Sequence, residues 1–178
     1  MLWTSQHSTR RDFLRHSRGL LAGAALAPLS CAELSGSAAA EAAAAAERVV
    51  EALYAAYAEM NVERLLALLT DDCFFEDPTF HLVARGKPEI RKLVEPLARH
   101  FSDVKIEFEN RIACQGWVVT QQRLSGFLRP HDGADDAGKN ISVRGAAIFS
   151  FRNNRISRWV DYYDILTYRE QLGLKAGA

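Results

Sequence analysis

The chain has 178 residues, of which 48% are hydrophobic. A chain of this length buries one hydrophobic core but not two, so we expect one domain with a tail. The 22 basic and 22 acidic residues cancel, and the basic residues do not cluster on the globular part of the sequence. A nucleic-acid-binding protein is therefore not expected, because such proteins carry a basic patch for the phosphate backbone.

The first 40 residues have the pattern of an export signal. The segment Ser8–Arg15 resembles the twin-arginine export motif, and an apolar stretch from Gly19 to Cys31 follows it. At about 13 residues this stretch is shorter than the roughly 20 that a membrane-spanning helix needs. Small residues at Ser35–Ala40 offer a cleavage site. We therefore predict a signal peptide at 1–40, a periplasmic domain at 41–178 and no membrane span after processing.

Two alternatives for this N-terminal segment stay open. Leu29 and Ser30 precede Cys31, which would suit a lipoprotein, although Pro28 departs from the usual pattern. A basic amphipathic helix packed on the domain is the other alternative.

Two cysteines remain after residue 40, and an oxidising compartment would permit a disulfide between Cys73 and Cys114. Their apolar surroundings equally suit two separate buried thiols.

Hydrophobic periodicity predicts that helices come first. An alanine run at 41–47 leads into apolar residues spaced three and four apart as far as Met60. Asn61 is suited to cap a short second helix. A third helix is predicted from Gly86 to Phe101, with a kink at Pro96.

Strands dominate the rest of the chain. Alternating apolar residues begin after Asp103, and further strands are predicted at Trp117–Leu128, Ile141–Phe151 and Ile156–Tyr163. A tight turn at 152–155 joins the last two. This order predicts an α+β fold in which a strongly curved antiparallel sheet wraps over N-terminal helices and encloses a pocket.

Strand parity sorts the candidate functional residues, because residues two apart share one face of a strand. Phe75 shares a face with Asp77, Arg123 with Gln121 and Ser125, and Asp161 with Trp159 and Tyr163. If these faces line the pocket, Asp77, Arg123 and Asp161 form a carboxylate pair with a cation that sets its charge state. Simpler interpretations remain: Asp77 before Pro78 is typical of a turn, and Arg123 with Asp161 suits a structural ion pair.

Three segments resemble a known family. They are 70–78, Arg85-Gly86-Lys87, and the closing 145–173 with Arg158–Asp164 and Gln171-Leu172-Gly173. Together they resemble the nuclear transport factor 2-like superfamily, and within it the SnoaL-like proteins. The resemblance covers about residues 47–173 and implies a cone-shaped domain that often forms homodimers. It does not fix the reaction, because this superfamily hosts isomerases, cyclases, hydrolases and binding domains.

Two related enzymes give templates for the site. In limonene-epoxide hydrolase the pattern is similar at Arg123 and Asp161, whereas the position of the second aspartate falls at Ser125. In ketosteroid isomerase an aspartate moves a proton next to a carbonyl, and the position of this base aligns with Asp77. The oxyanion-hole positions of that enzyme fall at Leu53 and Ala147, which cannot donate hydrogen bonds from their side chains.

From these observations we expect an exported, cofactor-free acid-base enzyme that acts on a small apolar molecule. Asp161 is the expected base, with Arg123 and Asp77 as the other catalytic residues. The expected pocket residues are Tyr57, Phe75, Ser125, Trp159 and Tyr163. His81 and His100 are expected at the surface, and no ligand spacing predicts a metal site. A periplasmic binding or dimerising domain without catalysis is the rival hypothesis.

Overall fold

The computed structural model describes residues 37–114, 116–129 and 138–174. The predicted signal peptide, apart from its last four residues, lies outside them. The first helix already begins at Ser37, so the predicted boundary at residue 40 falls in its first turn. Among the described residues, no helix combines the length and the apolar character needed to cross a membrane.

The described residues form four helices, three of them where the sequence predicts them. They are α1 (Ser37–Ala58), α2 (Val62–Ala67), α3 (Gly86–His100) and α4 (Ile165–Gln171). The Asn61 side chain accepts a hydrogen bond from the backbone N–H of Arg64 and caps α2, as predicted.

Six strands of the described part of the chain form a single curved, unclosed sheet. They are β1 (Leu69–Asp77), β2 (Leu82–Arg85), β3 (Phe101–Cys114), β4 (Trp117–Leu128), β5 (Lys139–Arg152) and β6 (Arg155–Tyr163). Their order is β2-β1-β6-β5-β4-β3, and every pair is antiparallel except β1 with β6. A register shift between Phe108 and Asn110 on β3 marks an irregularity of the kind that bends a strand.

The predicted α+β fold is confirmed, and helix α1 packs across the inner face of the sheet. Val50 and Leu53 on α1 belong to the same fully buried cluster as Val118 on β4 and Phe149 on β5. Burial of side chains of this size stabilises the fold by about 1.5–3 kcal/mol each, before conformational entropy is counted. Helix α1 thereby covers part of the concave face of the sheet, and the rest of that face borders a cavity.

Several local features follow the prediction and others extend it. Asn153 and Asn154 both have positive φ and make the tight turn between β5 and β6. Helix α3 continues through Pro96. The short elements β2 and α4 were not predicted, because they are too brief to show a period. Cys73 is buried on β1 while Cys114 ends β3, and the two are not joined by a disulfide.

Candidate active site

A cavity of about 420 Å³ lies against the concave face of the sheet. Its walls are almost entirely apolar. One part is aromatic and another is aliphatic, contributed mainly by α3, β4 and β5. The aromatic side chains are Tyr57, Phe75, Phe80, Phe101, Trp159, Tyr163 and Tyr168, and the aliphatic ones include Ile90, Leu93, Val94, Leu97, Leu124, Leu128, Ile141 and Val143. This lining suits a small apolar molecule.

Two carboxyl groups lie side by side in this apolar wall. Glu76 on β1 is the parallel neighbour of Val160 on β6, so the following residues, Asp77 and Asp161, occupy adjacent positions on the inner face. Both residues are only 4% exposed, and both line the cavity.

Asp161 is held in a setting that favours its neutral form. Burial raises its pKa from 3.8 to about 8, and the nearby negative charge of Asp77 adds to that rise. The indole Nε1 of Trp159 donates a hydrogen bond to Asp161 Oδ1 at 2.8 Å and partly opposes the rise. Asp161 therefore carries a proton at neutral pH and can donate it.

Asp77 is better prepared to carry a negative charge. Its Oδ1 accepts hydrogen bonds from the backbone N–H groups of Thr79 at 2.9 Å and Phe80 at 3.2 Å. Burial raises the pKa of Asp77 above its usual value, and these donors offset part of that rise. The turn-forming interpretation of Asp77 before Pro78 is therefore correct, and the same side chain also faces the cavity. Of the two carboxyl groups, Asp77 is the one that ionises first.

Two tyrosine hydroxyls accompany the carboxyl pair. Tyr57 on α1 and Tyr163 on β6 line the cavity, and burial together with the charge of Asp161 raises the pKa of each. Both phenols are therefore neutral hydrogen-bond donors across the physiological pH range. Neither hydroxyl has a hydrogen-bond partner among the residues that the structure describes, so both are available to a ligand.

The structure brings together six of the predicted site residues. They are Tyr57, Phe75, Asp77, Trp159, Asp161 and Tyr163, all of which line this one cavity. It does not bring in Arg123 or Ser125. The Arg123 side chain is 39% exposed and pairs with Glu109 at 3.4 Å on the outer face of the sheet, where Arg144 joins the same carboxylate. Their predicted position in the cavity, and the predicted ion pair of Arg123 with Asp161, are therefore wrong.

This error has a definite physical origin in β4. The strand alternates faces, and the residues facing inward are Val118, Thr120, Gln122 and Leu124. Apolar residues occur on both faces, because Trp117 and Val119 point outward and are 44% and 38% exposed. The alternation therefore gives the two sets without saying which is inside. Thr120 and Gln122 are the inward polar residues that sequence reasoning missed.

The two enzyme templates fit this site only in part. The position aligned with the tyrosine of ketosteroid isomerase, Leu53, is fully buried in the core, and Tyr54 beside it places its hydroxyl 3.4 Å from Thr120 Oγ1. Tyr57, one turn further on, is the helix α1 tyrosine that reaches the cavity. In the described parts of the chain, no group of three or more His, Cys, Asp or Glu side chains is arranged to hold a metal ion.

Comparison with known families places the chain. The sequence profile of the SnoaL-like domain matches residues 50–159, which is more than half of the chain. The chain belongs to the SnoaL-like family. It therefore has the nuclear transport factor 2-like fold that its sequence resembles. No curated protein matches it significantly.

Solved structures of this fold are similar to the SnoaL-like chain at low sequence identity. An epoxide hydrolase of the limonene-epoxide hydrolase type from Mycobacterium tuberculosis is 20% identical with a TM-score of 0.61, over 74% of this chain and 92% of that one. A protein with a ketosteroid isomerase-like fold from Catenulispora acidiphila, solved with trimethylamine, is also 20% identical with a TM-score of 0.61, over 71% and 93%. A protein assigned as a SnoaL-like polyketide cyclase from Shewanella putrefaciens is 17% identical with a TM-score of 0.65, over 73% and 97%. At such identities the likeness concerns the fold.

Proposed function

We propose that this SnoaL-like protein is a cofactor-free acid-base enzyme that acts on a small, uncharged, apolar substrate. One observation carries the proposal: two adjacent carboxyl groups lie in an apolar cavity that raises the pKa of both, and two backbone N–H donors support the charge of Asp77 but not that of Asp161. A neutral carboxylic acid beside a carboxylate provides a proton donor and a proton acceptor in one place. Such perturbed pairs in a cavity are typical of catalytic sites.

In this proposal the two aspartates exchange the roles that the sequence predicted. Asp77, whose charge is supported by two backbone N–H groups, is the base. Asp161, which holds its proton to about pH 8, is the acid. Tyr57 adds a second neutral donor at the cavity wall.

Proton transfer at a carbon next to a carbonyl is the reaction that this arrangement supports best. Asp77 removes the C–H proton, and the electron pair moves onto the carbonyl oxygen as an enolate. Asp161 and Tyr57 stabilise the developing charge by donating hydrogen bonds to that oxygen. Return of the proton at another carbon completes an isomerisation. In a cyclisation the enolate carbon attacks a second carbonyl of the substrate, and the proton held by Asp77 passes to the oxygen of that carbonyl.

Epoxide opening is a second reaction that the same pair can serve. Asp77 would remove a proton from water while Asp161 protonates the epoxide oxygen, so that the C–O bond breaks as the water oxygen bonds to carbon. The neutral state of Asp161 favours this candidate, because an epoxide oxygen needs a proton donor. The likeness in fold to an epoxide hydrolase is in keeping with it.

Hydrogen exchange tests the leading reaction without requiring the natural substrate. A panel of apolar ketones is incubated with the protein in D₂O, and deuterium incorporation next to the carbonyl is followed by NMR. We expect Asp77→Asn to lower the exchange rate at least about 100-fold, because a general base contributes about that much or more. Asp161→Asn should lower the exchange rate less, since an amide still donates a hydrogen bond. In the wild type the rate should fall above about pH 8 as Asp161 loses its proton, and this fall should be absent in Asp161→Asn.

Arg123→Gln is the matched control, because Arg123 lies on the outer face of the sheet. It should exchange at the wild-type rate. A parallel panel of apolar epoxides in ¹⁸O-labelled water reports the second reaction through labelled diols. If Asp77→Asn keeps full exchange activity, the assigned base is wrong. If ketones and epoxides bind without reacting, the cavity is a binding site and the enzyme proposal fails.

We also propose that the protein is exported by the twin-arginine route, as its first 40 residues predict. An acid-base site that needs no cofactor would function in the periplasm with substrate and water alone. The residues that carry this proposal, 1–36, lie outside the described part of the chain.

A further inference from the structure

Three buried polar side chains, Tyr54, Thr120 and Gln122, form a hydrogen-bonded polar chain beneath the cavity wall. Thr120 Oγ1 lies 2.6 Å from Gln122 Oε1 and 3.4 Å from the hydroxyl of Tyr54. The shorter distance is typical of an O–H donor with an oxygen acceptor, so Thr120 donates to the Gln122 carbonyl oxygen. The Thr120 hydroxyl has only this one proton, so it accepts its second hydrogen bond from the Tyr54 hydroxyl. Because Gln122 presents its amide oxygen to Thr120, its amide nitrogen points away from Thr120.

That amide nitrogen is left without a partner. Gln122 is 1% exposed, and its Nε2 finds no hydrogen-bond acceptor in the part of the chain that the structure describes. A buried donor without an acceptor is destabilising, and in native proteins such a group is commonly bonded to an ordered water or a ligand. Gln122 does not line the cavity, so a bound substrate would not reach it directly.

The sheet register places this nitrogen beside the catalytic wall. Across β4, β5 and β6, Thr120 lies in register with Ala147 and Asp161, and Gln122 with Gly145 and Tyr163. Adjacent strands are about 4.8 Å apart, so β4 and β6 are separated by roughly 10 Å. Only a methyl group and a hydrogen atom on β5 stand between the polar residues of the two strands. The polar residues of β4 and β6 therefore flank the small side chains of β5 on the inner face.

Two further observations place the polar chain close to Asp161. The negative charge of Asp161 contributes to raising the pKa of Tyr54, which begins the chain. The Tyr163 ring lies directly over Gly145, where an added Cβ atom would meet ring carbons at 2.7 and 2.8 Å. The ring therefore extends into the same gap between β4 and β6.

We propose that a buried water molecule joins the Gln122 amide to the Asp161 carboxyl, which makes Gln122 a positioning residue for Asp161. The water would accept from Gln122 Nε2 and donate to a carboxyl oxygen, with the Tyr163 hydroxyl as a third partner. Three polar partners are what a buried water usually has. Gln122 thus takes the role beside Asp161 that the sequence analysis gave to Arg123. A neutral amide there orients Asp161 without forcing it to ionise.

The other titratable groups around Asp161 are acids. Asp77 faces it from β1, Tyr54 and Tyr57 from α1, and Tyr163 from its own strand. Lys92 on α3 lines the cavity but is itself exposed. A hydrogen bond relayed from Gln122 therefore opposes the combined effect of burial and these neighbours on Asp161.

The test is the titration of Asp161 itself, followed by NMR in protein carrying ¹³C-labelled aspartate carboxyl groups. Gln122→Met keeps the length of the side chain and removes the amide. We expect it to raise the pKa of Asp161 by about one pH unit, the usual worth of a hydrogen bond to a charged group. Gln121→Met is the matched control, because Gln121 is the next residue on the strand and bonds to Asn110 on the outer face at 3.0 Å. It should leave the titration unchanged.

A second variant covers failure of Gln122→Met to fold. Thr120→Val keeps the shape of the side chain but no longer orients the amide, and it should raise the pKa of Asp161 by a smaller amount. A high-resolution crystal structure of the unchanged protein gives a third, independent answer. A water within about 3.2 Å of both Gln122 Nε2 and the Asp161 carboxyl supports the proposal. An absent water, or an unshifted titration in a folded variant, overturns it.

This inference rests on the proposed function only for its effect on turnover. In an active enzyme, Gln122→Met should lower kcat and move the alkaline limb of the pH profile upward, while KM stays near the wild-type value because Gln122 does not contact the ligand. A shifted Asp161 titration in a protein that turns over no ketone or epoxide would uphold the role of Gln122 and reject the enzyme. Turnover with an unshifted titration would do the reverse.

Discussion

Asp161 shows how burial, more than ion pairing, sets the chemistry of a side chain. A cation beside a buried carboxyl stabilises the charged form, whereas an apolar wall stabilises the neutral form. Arg123 points to the outer face, so Asp161 has the apolar wall and one indole donor in place of a guanidinium. Its protonated state at neutral pH follows from that difference.

A measurable loss of stability at higher pH follows from the same state. The pKa of Asp161 rises from 3.8 in the unfolded chain to about 8 in the native protein. Between these values the unfolded chain releases a proton that the native protein keeps, so the free energy of unfolding falls as the pH rises. One such group contributes a slope of at most about 1.4 kcal/mol per pH unit. Above about pH 8 the slope from Asp161 ends.

Asp161→Asn should remove most of this slope, because an amide does not titrate. Urea unfolding of the wild type and the variant at pH 5, 6, 7 and 8 checks the expectation, and Asp77 should leave a smaller slope of the same sign. Asp71→Asn is the control. Asp71 pairs with Lys87 at 2.8 Å at the surface, which lowers its pKa and places its titration below this range. Equal slopes in the wild type and Asp161→Asn would show that Asp161 is ionised in the native protein.

The residues of the site divide into those that local pattern predicts and those that it does not. Asp77, Trp159 and Asp161 were predicted from strand parity, which places each carboxyl group on one strand face with aromatic residues. Arg123 was misplaced because parity gives two faces without saying which is inside. That choice depends on which face α1 covers, and the contact between α1 and β4 joins residues more than sixty positions apart.

Strand β5 contributes to the site through two small residues on its inner face. Gly145 and Ala147 face inward between β4 and β6, and their small size lets polar groups from both neighbouring strands approach each other. Strand β6 supplies Asp161 and Tyr163, while β1 supplies Asp77. The carboxyl-bearing wall of the cavity is therefore made by the adjacent strands β1 and β6, and β5, on the other side of β6, separates them from β4.

Gly145→Ala should destabilise the protein and disturb the cavity. The added Cβ atom would lie 2.7 Å from the carbonyl oxygen of Tyr162 as well as from the Tyr163 ring, and the backbone oxygen cannot move aside easily. We expect a loss of about 1–3 kcal/mol in the free energy of unfolding, the usual cost of overpacking. Because Tyr163 would be pushed into the cavity, binding of an apolar ketone should weaken as well.

Urea unfolding and fluorescence titration with the ketone measure the two effects of Gly145→Ala. Ala146→Ser, at the next position on the outer face, is the control and should change neither by much. Wild-type stability in Gly145→Ala would mean that Tyr163 does not lie over the glycine.

At the scale of the described domain, the concave side of the sheet holds an apolar cavity with two carboxyl groups side by side on one wall. Such a cavity suits an uncharged molecule better than an anion, because acidic groups line that wall and Lys92 in the lining is exposed. The exposed apolar residues Ile112, Val119 and Tyr162 lie on the outer face of the sheet. The homodimer expected from the family resemblance stays a prediction.

Export gives a prediction for the full chain. Replacing Arg10 and Arg11 by lysine should stop twin-arginine transport, because the paired arginines are the recognised feature of that signal. Fractionation of bacterial cells that express each form measures the result: the wild type should reach the periplasm in shortened form, and the variant should stay in the cytoplasm at full length. Equal periplasmic amounts would contradict this route. Cys31→Ser separates it from lipoprotein anchoring, since that change would release only an anchored protein.

The sequence by itself determined the order of the longer helices and strands, the α+β class, the Asn61 cap and the Asn153-Asn154 turn. Each of these depends on neighbours within a few residues, or on a motif that spans one element. Only the tertiary structure decided that Asp77 and Asp161 are adjacent, that Arg123 is outside, and that Gln122 is buried outside the cavity lining. These facts depend on strand order and on which face the helices cover. Both are set by packing between residues far apart in the chain, which no local period records.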